Sequence, residues 1–400
     1  MFCLRIVGHT SRRCSLVWYR MARLTDLDYL EVVAMGNDII VSTIIDSFNY
    51  GTVMQAVATN EILGRYGDVK FVDYVRPLWT KSGWRRSIIR DDKYPLPVNI
   101  ARLAAQIPNR QKGETIFRPF VERNLSLVND ERFLTPGGEF SDDAVYCVGS
   151  DQTWNSEYNN GLDPVFFLKN VPSNRKKIAF CASFGRPNVP DWEKEDTAKL
   201  LADFDAISVR EKSGVAILES MGIPNAVSLY DPVLLCDKSL WTRLAKRIPV
   251  CGDKYILVYD LNPNPAMDEF VKKLSLETGA KVKIVTFDWK KAVPKTFEKV
   301  YLPTIEQWLA LFRDASWVVT DSFHGTCFSI LLNKDFFVFE PPKYSVRLVD
   351  VLTDFRLLGR IIPSNDVAKM NDIELIDWSG VNNILEEYRL KASAFLDGAL

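Results

Sequence analysis

The stretch Trp317-Val318-Val319-Thr320-Asp321-Ser322-Phe323-His324-Gly325-Thr326 passes from an apolar run through a short polar turn into Cys327-Phe328-Ser329-Ile330-Leu331-Leu332. That order reads as a buried strand, a tight glycine-containing turn and a helix. Such a turn presents backbone N–H groups at the positive end of a helix, where phosphate or carboxylate binds well. His324 sits at the turn. The other histidine of the chain, His9, lies in an N-terminal segment that does not read as part of the fold. His324 is therefore the candidate for histidine proton chemistry near neutral pH.

Outward from this unit the same alternation recurs. Before it stand a strand at 255–259, a helix at 266–277, a strand at 281–286 and a helix at 305–312; after it comes a strand at 336–339. An earlier series opens with the β-branched run 38–45, the turn Asn49-Tyr50-Gly51-Thr52 and a helical pattern over 53–65. Strand candidates follow at 69–71, 144–148, 177–181, 206–209 and 226–229, with helical stretches at 191–204 and 211–221. Alternating elements predict an α/β protein with mostly parallel sheets. We expect two Rossmann-like domains facing a cleft, over 36–240 and 250–400, the second ending in a C-terminal helix. Residues 236–253, with Pro249 and Gly252, are the expected linker.

Two regions stand outside this pattern. Residues 1–35 are basic, with five arginines before the first acid, Asp26. They read as a non-structural leader or an early start, with Met21 and Met35 as alternative starts; a basic, acid-poor segment also resembles an organellar transit peptide. An insertion over 76–135 is basic as well. Between Arg76 and Arg123 there are eleven basic residues and four acids, interleaved with Trp79, Trp84, Ile88 and Ile89. It reads either as a solvated helical insertion or as a patch that docks an anionic membrane surface or a lipid diphosphate.

Composition narrows the class. Lys+Arg 50 against Asp+Glu 51 gives a net charge of −1, so the chain as a whole is not built to bind nucleic acid. The seven cysteines form no CxxC pair and read as reduced core thiols of a cytoplasmic protein rather than as a disulfide framework or metal site. No run of about 18 apolar residues offers a membrane span. The expected location is cytoplasmic, with a peripheral contact at the inner face of the membrane through 76–123.

Chemistry concentrates in loops at the ends of predicted strands, where open α/β sheets bind ligands. Asn49, Tyr50 and Gly51, with Gln55 one turn on, offer hydrogen bonds and a close backbone approach, or simply a turn and cap. Gly149-Ser150-Asp151-Gln152-Thr153-Trp154-Asn155 packs a carboxylate, an amide and an aromatic ring into one loop, a set suited to sugar or to an N-cap with a buried tryptophan. Arg210 directly follows a strand and can clamp a carboxylate or phosphate, or pair with Glu211. Lys343 and Arg347 follow the last strand and add cations.

Taken in order, Asn49-Tyr50-Gly51 with Gln55-Ala56, Gly149-Ser150-Asp151-Gln152 with Trp154-Asn155, Ser208-Val209-Arg210-Glu211 with Ser213-Gly214, Asp231-Pro232 and Thr320 to Gly325 resemble the polysaccharide pyruvyl transferase family. Asn333 and Ser345 with Arg347 fit as well, so the likeness runs from about Asp38 to Arg360. The resemblance implies a fold similar to GT-B glycosyltransferases. It also implies transfer of pyruvate from phosphoenolpyruvate onto two hydroxyls of a sugar, in a surface polysaccharide or its lipid-linked precursor, giving a ketal and phosphate. No metal or cofactor is required in principle, since arginines and backbone dipoles can neutralise the anion. Under this reading His324 is general acid or phosphate ligand, and Asp151 is base for the acceptor hydroxyl. Arg210, Arg347 and Lys343, with Ser322 and the Gly325 N–H, hold phosphoenolpyruvate. Asn49, Tyr50, Gly51, Gln55, Gln152 and Trp154 hold the sugar. The chain departs from the family in one respect: it has Ser-Phe-His-Gly where others place Arg-x-His, so one cation must come from elsewhere, Lys343 or Arg210 being the candidates. A GT-B-like glycosyltransferase using a nucleotide sugar and a non-catalytic sugar-binding protein of polysaccharide assembly are the competing readings.

Overall fold

The computed structural model describes residues 37–129, 131–341, 346–363 and 376–400. The basic leader with His9, Met21 and Met35, together with Lys343 and Ser345, lies outside the described residues.

Seven strands form the first sheet: β1 (Asp38–Ser42), β2 (Asp68–Val72), β3 (Leu127–Val128), β4 (Val145–Val148), β5 (Lys176–Ala182), β6 (Ala206–Val209) and β7 (Val227–Ser228). All pairings are parallel, in the order β3-β2-β1-β4-β5-β6-β7. The second sheet contains β8 (Tyr255–Tyr259), β9 (Lys281–Thr286), β10 (Phe297–Tyr301), β11 (Trp317–Thr320) and β12 (Asp335–Val338), also all parallel, in the order β10-β9-β8-β11-β12. Each sheet reverses its strand order once, between β1 and β4 and between β8 and β11. Such switch points open a crevice at the carboxyl ends of the strands. The two α/β sheets make a GT-B-like architecture, and loops from their carboxyl ends meet.

The central strands are buried on both faces, so β-branched runs such as Ile39-Ile40-Val41 carry no alternation. Strand β10, Phe-Glu-Lys-Val-Tyr, is half exposed at a sheet edge and lacks the apolar density that marks the others in sequence. The helix Tyr50–Leu63 is buried nearly all round rather than on one face, because it lies between the first sheet and several helices.

The expected linker is more structured than its proline and glycine imply. Asp237 caps a helix, Lys238–Ala245, whose Leu240, Trp241, Leu244 and Ala245 are buried against the helix Ile305–Asp314. The C-terminal helix Trp378–Ala399 packs back on the first sheet's side. Lys391 donates to the Ser228 carbonyl at 3.0 Å, Lys176 to that of Leu400 at 3.0 Å, and the rings of Tyr388 and Tyr230 stack 3.8 Å apart.

The insertion folds as the helices Lys81–Ile89 and Leu96–Asn124. Much of its charge ties it down. Arg76 is buried on Asp46, Arg118 pairs with Asp73, Arg123 with Glu306, and Lys112 donates to the Tyr301 carbonyl at 2.7 Å. Arg85, Arg86, Arg90 and Lys93 remain exposed.

Candidate active site between the two sheets

The loop after β11 is held from below. The Asp321 carboxylate accepts from the backbone N–H groups of Leu261 (2.7 Å) and Asn262 (2.9 Å) and from the Asn262 side chain (2.8 Å). Asp321 thereby fixes the β11 loop to the β8 loop at the switch point. Ser322 caps the helix Phe323–Leu331, its Oγ accepting from Gly325 N–H at 3.2 Å. This cap pairs Ser322 with Gly325, so the anion nest expected from those two groups is spent within the protein. His324 sits in the first turn, 7% exposed.

The first domain supplies the facing wall. Gly51 lies against the imidazole: a Cβ there would fall 2.0 Å from His324 Cγ and Nδ1. Glycine is demanded at 51 by this contact, not by its turn. Beyond β7, Asp231 places one carboxylate oxygen 3.4 Å from His324 Nε2 and pairs the same oxygen with Arg210. The His324 contact is off hydrogen-bond geometry, and Nε2 has no hydrogen-bond partner among the described residues. Arg210, at the end of β6, also reaches Asp151 at 3.3 Å. Asp151 adopts φ +74° after β4, and its carboxylate further accepts from Thr52 Oγ1 (2.7 Å) and Gln152 N–H (2.9 Å).

Four loops, after β4, β6, β7 and β11, thus bring Asp151, Arg210, Asp231 and His324 together. Arg347, on the helix Val346–Asp354, completes the group. Its guanidinium lies 5.1 Å from the centre of the Phe323 ring, and that of Arg210 lies 5.4 Å from the same ring. Arg347 is 8% exposed and makes no ion pair or hydrogen bond among the described residues.

The electrostatics separate the two arginines. Burial disfavours the Arg210 cation, but Asp231 and Asp151 outweigh burial and raise its pKa. Burial, then the Arg210 charge, pushes the Arg347 guanidinium below its ordinary value. Burial would raise both carboxyls; the Arg210 cation, with His324, instead holds Asp151 and Asp231 below the usual carboxylate range. A carboxylate so held and so fully hydrogen-bonded is a poor proton acceptor. The base expected in Asp151 is better described as the group that positions Arg210.

The expected sugar-binding set is largely structural. Tyr50 is wholly buried, donates to the Pro303 carbonyl at 2.6 Å and stacks on Trp308. Gln55 is wholly buried, turned to Thr43 and Ile44. Asn49 caps its helix through Gly51 and Thr52 N–H. Gln152 accepts from Asn155 at 2.7 Å, and Trp154 is core, its indole N–H donated to Phe166 O at 3.0 Å and its ring stacked on Phe167. A tryptophan packed in this way has no face left for a sugar. Glu211 does not pair with Arg210 either: its Oε1 accepts from Ser183 Oγ and from the N–H groups of Phe184 and Gly185, each at 2.9 Å. The residue that motif reading left without a role is Asp231; the Asp-Pro pair after a strand was its only signal.

A family model for polysaccharide pyruvyl transferases matches residues 49–342. No curated protein matches the chain in sequence. Among solved structures, similarity extends to UDP-N-acetylglucosamine 2-epimerase from Rickettsia bellii, at 10% identity over 91% of this chain and 96% of that one, with a TM-score of 0.49. It extends also to the E. coli heptosyltransferase WaaC with ADP, at 13% identity over 88% of this chain and 99% of that one, with a TM-score of 0.37.

Proposed function

The chain belongs to the polysaccharide pyruvyl transferase family, and we propose that it uses phosphoenolpyruvate as donor and forms a cyclic ketal on a sugar. The observation that carries this reading is Arg347, a buried guanidinium without a carboxylate partner among the described residues, beside Arg210 and His324. A buried unpaired cation is costly, and an anionic substrate group offsets that cost. Arg210 is already shared by Asp231 and Asp151. Arg347 is therefore the cation that stands in for the arginine of the family's Arg-x-His pattern, where this chain has Ser322. Lys343, the other candidate, lies outside the described residues.

In the proposed reaction His324 donates a proton to carbon 3 of phosphoenolpyruvate, making carbon 2 electrophilic. One sugar hydroxyl adds to carbon 2 and gives its proton to the imidazole that the first step left neutral. A second hydroxyl displaces phosphate from the same carbon and closes the ketal, its proton leaving with the phosphate. Asp231 faces this imidazole, one carboxylate oxygen lying 3.4 Å from Nε2. Arg347 and the positive end of the helix Phe323–Leu331 hold the substrate's negative charge. No metal or organic cofactor enters this proposal.

The acceptor we propose is carried on a lipid diphosphate, with the enzyme held peripherally at the membrane by the insertion. Exposed Tyr94, Leu96, Val98 and Ile100 beside Arg85, Arg86, Arg90 and Lys93 support that contact. No helix among the described residues is long and apolar enough to cross a membrane.

Thermal melting tests donor choice without knowledge of the acceptor. Phosphoenolpyruvate should raise the melting temperature, and Arg347→Met should weaken its binding roughly tenfold to a hundredfold, the worth of a charged hydrogen bond. Phosphate release with a competent acceptor should vanish in His324→Ala. Stabilisation by a nucleotide sugar with no response to phosphoenolpyruvate would overturn the proposal in favour of glycosyl transfer.

A further inference from the structure

A cavity of about 420 Å³ lies where the insertion meets the second sheet. None of the groups assigned above lines it. Its walls are aromatic: Trp79 and Trp84 from the insertion, Phe48 from the loop after β1, and Phe287 from the loop after β9. Polar groups punctuate these walls. The Gln106 side chain makes no hydrogen bond among the described residues, and Asn109 and Asp288 share the lining with it.

The walls are preorganised. Arg110 lies 4.7 Å from the Trp84 ring centre and 5.7 Å from that of Phe48, tethered to the Trp79 carbonyl at 2.9 Å and to Glu114 at 3.1 Å. Asn109 Oδ1 accepts from Tyr301 O–H at 2.9 Å and from Trp289 N–H at 3.3 Å, binding the insertion to the second sheet's loops. One wall of the cavity is linked along the chain to the reacting groups. Phe48 directly precedes Asn49, the cap of the helix whose Gly51 touches His324.

We propose that this cavity binds a pyranose residue of the acceptor glycan, so that the insertion carries acceptor recognition. This rests on the pyruvyl-transfer reading for what the bound sugar is used for. Flat aromatic walls match the C–H faces of a sugar ring, and planar amide, carboxylate and guanidinium groups match its hydroxyl pairs. The volume and the apolar walls with few polar groups fall in the ordinary range for a small-molecule site. The sugar expected there is of the acceptor, because the donor's phosphate and carboxylate require the cations around Phe323, neither of which lines this cavity.

Trp79 and Trp84 make the site self-reporting. Titration of the full chain with a panel of soluble disaccharides of glucose, galactose, mannose and their N-acetylamino forms, to millimolar concentration, should give saturable quenching of tryptophan fluorescence by at least one. Trp84→Ala and Gln106→Ala should each raise that Kd roughly tenfold or more. Both variants should keep the melting shift given by phosphoenolpyruvate, which also checks that they fold. No saturable quenching by any of the panel, equal affinity in both variants, or quenching by nucleoside monophosphates instead would overturn the assignment. Loss of the phosphoenolpyruvate response with sugar binding intact would instead overturn the donor reading and leave this site standing.

Discussion

Asp231 meets Arg210 and His324 with one carboxylate oxygen, while the other accepts from Val233 N–H at 2.9 Å. Burial opposes its negative charge, and Arg210 and His324 outweigh burial, so its pKa lies below the ordinary carboxylate range. A carboxyl depressed on folding stabilises the protein above its unfolded value, about 3.9, and that contribution fades as pH falls toward the folded value. Asp231→Asn should therefore cost on the order of 3–5 kcal/mol near neutral pH, because it leaves Arg210 short of a buried partner. The gap between wild type and variant in urea midpoints should narrow as the pH drops below about 4. A gap that stays constant down that range would show that Asp231 carries no such charge coupling. At this scale the sequence made His324 and Arg210 legible, since each follows a strand in a motif. It did not make their partner legible. Arg210 and Asp231 are 21 positions apart, and only the packing of β6 beside β7 makes them neighbours. Trp154 and Tyr50 misled for the complementary reason: an aromatic residue in a loop gives no sign of which way its ring turns.

Elements were more readable than residues wherever burial was two-sided. The apolar density of β1, β8 and β11 marked them, whereas β10, with the adjacent charges Glu298 and Lys299, lies at an edge and gives no such signal. The insertion shows how far composition goes. Its basic excess was plain, but the half that pins the insertion to Asp46, Asp73 and Glu306 was not separable from the half left in solvent. What remains exposed is organised. Asn99 is buried and donates to the carbonyls of Ile89, Asp91 and Tyr94, at 3.3, 2.8 and 3.1 Å, holding the turn between the two helices. That turn presents Leu96 at 56% and Ile100 at 53% exposure beside four exposed cations. Each cation near an anionic bilayer is worth about 1 kcal/mol, so Arg85→Gln with Arg86→Gln should lower partitioning onto phosphatidylglycerol vesicles roughly thirtyfold. Leu96→Asp should lower it even at high salt, where charge effects are screened and the lost apolar contact remains. Equal sedimentation with neutral and anionic vesicles, or a concentration-dependent dimer that disappears in Leu96→Asp, would argue for a second copy of the chain as the partner instead.

At the scale of the whole molecule the two sheets do not stand as separate bodies. Tyr50 reaches the Pro303 carbonyl, Lys112 that of Tyr301, Gly51 packs on His324, and the C-terminal helix returns from the second sheet to the first. One hydrophobic core includes residues of both, from Val41 and Val57 to Leu257 and Phe328. The proposed donor site is built the same way, with Arg210, Asp151 and Asp231 from one sheet and His324 from the other. A ligand bound there is linked to both halves at once. Calorimetry should accordingly give a single unfolding transition that moves as a whole when phosphoenolpyruvate is added. Linkage sets its size at about 2.7 kcal/mol of added stability at a hundredfold excess over Kd. In Arg347→Met the transition should stay single and, at the same phosphoenolpyruvate concentration, its added stability should fall to about 0.4–1.4 kcal/mol. Two transitions, of which phosphoenolpyruvate shifts only the one belonging to the second sheet, would mean that the first sheet's arginine and carboxylates contribute nothing to donor binding. The shared core argues against that result, because unfolding either sheet alone would expose apolar surface that the other now covers.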